Sequence, residues 1–286
     1  MLYLHFYINY NFATIKSKSQ IKMKIFLTSL FFTVAFIASD LKAQFGGGAG
    51  TEESPYLIYT KEHLSELADS VNGGYDWSKN LFFHLMNDIT DSVRTVIGLG
   101  PTFRSEEFVC LLRRSTQRTT WDRLKNYVKK EVKDSSLAHS FQGYFNGRGH
   151  KITLAINMPT ENNVGLFGCV SGDGLILDLD VDGYVIGYSR VGGFVGYVRM
   201  SFASKSFYMF SELNNNATIT STDGKVTSAG GIIGVAVGNK NNTIFIDRCR
   251  NNALINDKTY FPEEPKGLVG SFGRKDLKVN FRSIYQ

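Results

Sequence analysis

The sequence has few prolines and few cysteines. Its 286 residues include 5 Pro and 3 Cys against 28 Gly, and 43% of them are hydrophobic. This balance excludes a proline-rich disordered chain and predicts a folded, turn-rich protein that is mostly β. Cys110, Cys169 and Cys249 are an odd number without C-x-x-C spacing, so neither a disulfide framework nor a zinc site is predicted. We expect them to be buried as small hydrophobic side chains.

The chain also lacks a large excess of charge once its N-terminal segment is set aside. Of the formal charge of +6, five lysines and one aspartate before residue 44 contribute +4, which leaves +2 for the remainder. A basic stretch at residues 101–140 has nine Lys or Arg against five Asp or Glu, and we interpret it as an insertion in a loop. This distribution does not predict a nucleic-acid partner.

No apolar run is long enough to span a membrane comfortably. The longest, Ile25–Ala38, is about 14 residues. It follows Met23 and Lys24, and a polar region ending in Ala43 comes after it, which together make the three-part build of a secretory signal peptide. We therefore expect a signal peptide at residues 23–43.

This leader predicts where the protein is found. We expect an exported chain that is secreted, periplasmic or at the cell surface, with no transmembrane segment in its mature part. Residues 1–22 show no periodicity, and we expect them to lie upstream of the true start at Met23. The ending Leu-Lys-Ala-Gln of residues 41–44 resembles that of many signal peptides from the Bacteroidetes group of bacteria.

Residues 44–160 are interpreted as an N-terminal cap and the first coils of a larger β structure. The run Gly46–Gly50 is expected to be a flexible linker, and strands are expected at residues 56–59, 80–89 and 143–156 with a turn at Asn146-Gly147. One amphipathic helix is expected, with Thr60 as its N-cap and Asn72-Gly73 as its stop. Its apolar residues fall at helical spacing: Leu64, Leu67, Ala68 and Val71.

Residues 161–286 repeat a short apolar segment bracketed by glycines. The units are Val164–Gly168, Gly192–Gly196, Gly230–Gly234 and Gly267–Gly270, and their closing glycines are 28, 38 and 36 residues apart. A second echo shares this period, because Asn215–Ile219 recurs 36 residues later as Asn251–Ile255. One such unit cannot bury its apolar face alone, whereas stacked units form a continuous core. The pattern predicts a right-handed parallel β-helix or β-solenoid with a small N-terminal α/β cap.

At these units the chain resembles the GLUG-motif family of bacterial surface and adhesin-like proteins, named for its Gly-Leu-x-Gly core. The first and last units match that core, the middle two carry Gly-Phe-Val-Gly and Gly-Ile-Ile-Gly, and the lead-in from residue 50 is also similar. The resemblance implies a β-solenoid at the cell surface with a binding or adhesive role and no family-wide catalytic residues. The structural motif positions are Gly165, Leu166, Gly168, Gly193, Gly196, Gly231, Gly234, Gly267, Leu268 and Gly270.

Asp178, Asp180 and Asp182 precede Gly183 in the pattern of the first half of a calcium loop. The twelfth position is Ser189 where a bidentate Glu is needed, so we interpret the aspartates as a solvated strand face and keep a cation site as the alternative. Leu175, Leu177, Leu179 and Val181 are expected to point inward. A β-helix polysaccharide lyase would need a base such as Arg190 or Arg199 beside these carboxylates.

No motif for a metallopeptidase or a serine hydrolase is present, and no cofactor is predicted. Tyr184, Tyr188 and Tyr197 lie where they could stack on sugar rings. The sequence therefore favours an exported, non-enzymatic binding protein with an extracellular glycan or protein ligand. Two alternatives remain, a polysaccharide lyase-like enzyme and a structural stalk or spacer.

Overall fold

The strands of the protein are nearly all paired in parallel. A computed structural model describes residues 45–74, 76–100, 139–200, 205–225, 228–273 and 276–282. The expected signal peptide and the residues before it lie outside the described residues, as do 101–138 of the basic stretch, including Cys110. The described chain is mostly β, as predicted.

Fifteen strands and two helices make up the described chain. The helices are α1, Lys61–Gly73, and α2, Pro265–Leu268. The first eight strands are β1 Tyr56–Ile58, β2 Phe82–Leu85, β3 Ile89–Val93, β4 Tyr144–Val164, β5 Phe167–Ser171, β6 Gly174–Gly192, β7 Val195–Arg199 and β8 Ser206–Asn215. The remaining strands are β9 Thr218–Ser221, β10 Ala229–Gly230, β11 Ile233–Val237, β12 Asn242–Asp247, β13 Arg250–Asn251, β14 Val269–Phe272 and β15 Lys278–Arg282.

These strands form two parallel sheets. The long sheet follows the order β1-β2-β4-β6-β8-β12-β15, with β3 paired to β4, β9 and β10 paired to β6, and β13 paired to β8. The short sheet has the order β5-β7-β11-β14. Parallel neighbours that are also successive along the chain require the backbone to return to the same end each time. This arrangement is compatible with a β-helix or solenoid.

Each glycine-bracketed unit contributes one strand to the short sheet. Phe167 pairs with Val195, Val195 with Ile233, and Ile233 with Val269. The aligned positions are the same position of the four sequence units. The sequence repeat is therefore a spatial repeat, with one unit stacked on the next.

The buried core lies between the two sheets and extends to the N-terminal helix. Its members form one continuous cluster from Phe45 to Leu277. Phe145 of the long sheet meets Phe167 of the short sheet edge-on at 5.5 Å between ring centroids. Contacts of this kind bury the apolar faces of both sheets together, which supplies the main favourable term in folding.

The long strands bend at residues in the left-handed region of backbone space. Arg148, Asp178, Glu212 and Arg248 have φ values of 54°, 54°, 55° and 50°. The pairing of β6, β8 and β12 brings the last three to the same place in successive strands. The turn expected at Asn146-Gly147 is therefore wrong in kind. The chain bends at Arg148 and continues in parallel with the same neighbour, so no hairpin forms.

The bend at Asp178 changes which residues of β6 point inward. Ile176 is fully buried before it and Leu179 after it, whereas Leu175 and Leu177 are only half-buried on the outer side. The expected inward row of Leu175, Leu177, Leu179 and Val181 is thus wrong for its first two members. A left-handed residue within a strand interrupts the two-residue alternation of side chains.

Helix α1 is confirmed with the predicted bounds and buried face. The Thr60 hydroxyl accepts a hydrogen bond from the His63 N–H at 3.4 Å, and Leu64, Leu67, Ala68 and Val71 are all buried. Asn72 does more than end the helix: its side-chain oxygen accepts from the N–H groups of Gly98 and Leu99 at 2.9 and 2.8 Å.

The expectation of a flexible linker at Gly46–Gly50 is wrong. The Gly46 N–H donates to the Leu57 carbonyl at 2.8 Å, and the Leu57 N–H donates to the Gly47 carbonyl at 3.0 Å. Gly47, Gly48 and Gly50 have φ between 76° and 123°, which only glycine adopts at low cost. The glycines thus let the chain fold back onto the edge of β1.

Cys169 and Cys249 are buried free thiols, as predicted. Burial raises the pKa of each thiol to about 12, because a charged thiolate is poorly solvated inside the core. Both side chains therefore act as packing groups rather than as reactive thiols.

Candidate functional site

One outer surface of the long sheet carries an ordered set of polar side chains. It lies beyond the bend at Asp178, where Leu179, Val181 and Val185 are buried and the alternate residues point outward. We call this surface the polar face. Its members are Lys151, Asp180, Asp182, Tyr184, Asn214, Asn216, Thr218, Arg250 and Asn252.

The first column of the polar face runs across the strands through Asp182, Asn216 and Asn252. The Asn216 amide N–H donates to Asp182 Oδ1 at 3.0 Å, and the Asn252 amide N–H donates to Asn216 Oδ1 at 2.9 Å. Lys151 Nζ lies 3.1 Å from Asp182 Oδ2 at the other end of the column. Each side chain fixes the orientation of the next, so the amides are held in place before any ligand arrives.

The second column runs beside it through Lys151, Asp180, Asn214 and Arg250, which are register partners in successive strands. The Asn214 amide N–H donates to Asp180 Oδ1 at 2.7 Å. Arg250 Nε lies 3.3 Å from Glu263 Oε1. Both cations of the polar face are therefore paired with carboxylates.

Asp88 supports the same edge of the polar face. Its Oδ1 accepts a hydrogen bond from the Lys151 backbone N–H at 3.0 Å and lies 3.0 Å from His150 Nδ1. The backbone hydrogen bond, followed by that of His150, lowers the pKa of Asp88. The side-chain hydrogen bond to Asp182 raises the pKa of Lys151. Both groups are therefore charged at neutral pH.

Two of the three tyrosines expected to meet sugars are exposed on this side of β6. Tyr184 belongs to the polar face and is 41% exposed, and Tyr188 further along is 47% exposed. Tyr197 lies in the short sheet, half-buried, with the Arg190 guanidinium 4.8 Å from its ring centroid. Burial raises the pKa of Tyr197. Tyr197 is therefore part of the packing between strands.

The aspartate row does not converge. Asp180 and Asp182 lie in separate columns, and Asp178 lies at the bend before them. Within the described ranges, no group of three or more His, Cys, Asp or Glu is placed to hold a metal ion. Arg199 is in the short sheet and Arg190 packs on Tyr197, so neither is brought beside these carboxylates.

We expect calcium to leave the melting temperature nearly unchanged. An occupied site would stabilise the fold by about 2.7 kcal/mol when calcium is at 100 times its dissociation constant. Thermal unfolding in millimolar calcium and in chelator measures this, with Asp180→Asn as the paired variant, since its amide oxygen can still accept from Asn214. A rise of several degrees that Asp180→Asn abolishes would establish a calcium site.

Sequence reasoning singled out the aspartates and tyrosines of this surface but missed its amides. Asn216 and Asn252 belong to the Asn-Asn-Ala echo, which the sequence shows with a 36-residue period. The second residue of each echo points outward and the first points into the core. The repeated Asn-Asn pair could have indicated one asparagine that packs in the core and one that faces outward, because adjacent residues of a strand point to opposite sides.

The opposite end of the same sheet has an apolar outer surface. Its row crosses the strands in register through Phe82, Tyr144, Leu175, Met209 and Phe245. The rings of Phe82 and Tyr144 stack with centroids 4.4 Å apart. Phe245 and the neighbouring Phe207 are 38% and 49% exposed. The outer surface of one sheet is therefore apolar at this end and polar at the other.

A shallow polar cavity of about 400 Å³ opens between helix α1 and the end of β3 with the two residues after it. Lys61 Nζ lies 3.2 Å from Asp91 Oδ2, and the hydroxyls of Ser65 and Thr95 lie 3.2 Å apart. The described residues that line the cavity include no aromatic ring, so it is a less favourable candidate for binding a sugar than the polar face with its exposed Tyr184.

Comparison with known proteins gives one distant likeness. Over 153 residues the chain is 29% identical to a protein of Evansella cellulosilytica described as "Putative Gly-rich membrane protein". The match covers 53% of this chain and 14% of that protein, so the chain spans a small part of the relative's length. No family model and no solved structure matches the chain. The resemblance to the GLUG-motif family stays a prediction.

Neither α1 nor α2 is long and apolar enough to cross a membrane, and the described chain has no other helix.

Proposed function

We propose that this chain is an exported, non-enzymatic β-solenoid protein that binds an extracellular glycan or protein through the polar face. In this proposal the coil is right-handed, helix α1 and its neighbouring strands form an N-terminal α/β cap, and the chain is a member of the GLUG-motif family. The observation that carries the proposal is the column of Asp182, Asn216 and Asn252, whose side chains are aligned by hydrogen bonds to one another.

Preorganised side chains favour binding because little conformational entropy is lost when a ligand is bound. Each amide of the column retains hydrogen-bonding capacity beyond its partner in the column, since an amide has two N–H donors and an oxygen with two lone pairs. Tyr184 adds an exposed ring beside the amides. Polar groups next to an aromatic ring are the combination that recognises sugars and polar peptide segments.

The geometry of the carboxylates supports binding over catalysis. General acid–base work needs a carboxyl and a second group that reach one substrate atom together. Asp180 and Asp182 instead accept hydrogen bonds from Asn214 and Asn216 and lie on an open strand face. An enzyme of the β-helix type would need these groups to converge in a cleft.

The proposal is tested by incubating the purified protein with a panel of polysaccharides and matrix proteins while bound protein and reaction products are both measured. We expect retention on at least one ligand and no new oligosaccharide ends. New unsaturated or reducing ends that increase with time would show an enzyme. The absence of retention on every member would overturn the binding function.

Export is expected to begin from Met23, because the charged end, the apolar run and Ala43 follow in order only from there. N-terminal sequencing of material recovered outside the cytoplasm should start at Gln44. Material that starts near Met1, or that stays in the cytoplasm, would contradict the export signal.

A further inference from the structure

The charges of the polar face are unevenly balanced. Its cations are Lys151 and Arg250, which pair with Asp182 at 3.1 Å and with Glu263 at 3.3 Å. Asp180 adds a carboxylate that accepts a hydrogen bond from the neutral amide of Asn214. With Glu263 counted beside Arg250, the surface presents three carboxylates to two cations, and each cation is already engaged.

An anionic ligand would meet two costs on this surface. It would have to break an existing ion pair to reach Lys151 or Arg250, and it would approach the carboxylates of Asp180 and Asp182. Like charges in contact are destabilising, and close juxtaposition at an interface discriminates against the wrong partner. A neutral ligand meets neither cost and can use the amides directly.

The column of Asp182, Asn216 and Asn252 runs along the direction in which the strands stack. Asp182, Asn216 and Asn252 lie in successive strands, so neighbouring side chains are about 4.8 Å apart along the stack. Beside them, Tyr184 and Thr218 are register partners in the adjacent column. A linear polymer laid along the stack would find an amide or carboxylate at every step and the Tyr184 ring at its side.

We propose that the polar face binds a linear neutral glycan lying along the Asp182–Asn216–Asn252 column, and that Asp180 and Asp182 exclude glycans made of uronic acids. This inference rests on the proposed binding function and names the ligand class of the same surface. Asn216 and Asn252 donate to and accept from sugar hydroxyls, and Tyr184 stacks on a sugar ring. Asp180 and Asp182 determine specificity through their charge.

The test compares retention of the full chain on neutral and acidic polysaccharides by affinity electrophoresis, with glucan, mannan and xylan against polygalacturonate and alginate. We expect wild type to be retained on a neutral polysaccharide and not on an acidic one. Asn216→Ala and Tyr184→Ala should each weaken neutral binding about tenfold, since each removes one main contact. Longer neutral oligosaccharides should compete better than dimers until the column is filled.

Charge is separated from shape by Asp180→Asn combined with Asp182→Asn, which keeps side-chain size and the amide oxygen acceptors. We expect this variant to gain retention on polygalacturonate, which wild type does not show, because two negative charges that repel a polyuronate are removed. The control is Glu52→Gln combined with Asp69→Asn, which changes net charge equally at exposed positions away from the polar face. It should behave as wild type, and melting curves of all variants establish that they are folded.

The possible results distinguish a failure of the neutral-glycan inference from a failure of the proposed binding function. Preferential retention of wild type on acidic polysaccharides, or on a matrix protein alone, would overturn the neutral-glycan inference and leave the binding function standing. A gain of acidic binding by the Glu52 and Asp69 control equal to that of the aspartate variant would also overturn it. Retention on no ligand at all would overturn both.

Discussion

Gly234→Val is expected to lower the free energy of unfolding by about 3 kcal/mol, because the position has no room for a side chain. A Cβ at Gly234 would lie 2.5 Å from Val191 N and 2.6 Å from the Arg190 carbonyl carbon, both backbone atoms of strand β6. The φ of Gly234 is not in the left-handed region, so the cost comes from close approach and not from the dihedral angle. Gly196→Val should behave alike, since its Cβ would meet the Asn163 carbonyl carbon at 2.5 Å.

Urea unfolding followed by circular dichroism measures this loss, and Gly73→Ala is the matched control. Gly73 ends helix α1, and a Cβ there would meet nothing within 4 Å. Alanine at such a position is expected to be neutral or to stabilise by about 0.5–1 kcal/mol. Unchanged midpoints for both valine variants would show that the repeat glycines are not required by stacking.

Asn251→Gly is expected to lower the free energy of unfolding by about 2–3 kcal/mol, because a buried hydrogen-bonding group is lost. The Asn251 side chain is 1% exposed, donates to the Ala253 carbonyl at 2.9 Å and accepts from the Asn215 amide at 2.7 Å. Without it, one of the two N–H groups of the Asn215 amide loses its acceptor inside the protein, while the Ala217 carbonyl still accepts from the same nitrogen at 2.9 Å. Asn252→Ala, on the exposed neighbour, should cost less than about 0.5 kcal/mol and serves as the control.

The Asn251 side chain is also the reason why a glycine is required at position 231. A Cβ at Gly231 would lie 2.5 Å from Asn251 Cγ and 2.6 Å from Asn251 Cβ, so Gly231→Ala is expected to be destabilising. In the double variant Asn251→Gly combined with Gly231→Ala, the collision is relieved. Its loss of stability should be smaller than the sum of the two single losses by about 1 kcal/mol or more. Strict additivity would show that the two positions do not contact each other.

This contact joins two patterns that are separate in the sequence. The glycine units and the Asn-Asn-Ala echo share a period because each buried asparagine occupies the space that a side chain would take beside a repeat glycine. Gly193 stands in the same relation to Asn215, since a Cβ at Gly193 would lie 2.9 Å from Asn215 Cγ. The parallel stack could therefore be predicted from spacing alone, since the spacing reflects direct packing.

The bends of the long strands are not marked in the sequence in a comparable way. Arg148, Asp178, Glu212 and Arg248 all adopt φ near 50° without being glycine or, apart from Asp178, a residue type that favours this region. The position of the bend could therefore not be predicted. For this reason the prediction of which β6 side chains point inward before Asp178 was wrong. Only part of the polar face could be predicted from the sequence. Its aspartates form a local sequence pattern, whereas the asparagines that donate to them lie 34 residues away.

The measurement that tests binding through the polar face most directly compares two pairs of exposed side chains on one sheet. Asn216→Ala combined with Asn252→Ala removes the amide column, and Phe207→Ala combined with Phe245→Ala removes the most exposed rings at the apolar end. Retention of each variant is measured on the ligand that holds the wild-type protein, with melting temperatures as the folding check. We predict that the asparagine pair abolishes retention and that the phenylalanine pair keeps it. Loss of retention with the phenylalanine pair and wild-type retention with the asparagine pair would contradict the account.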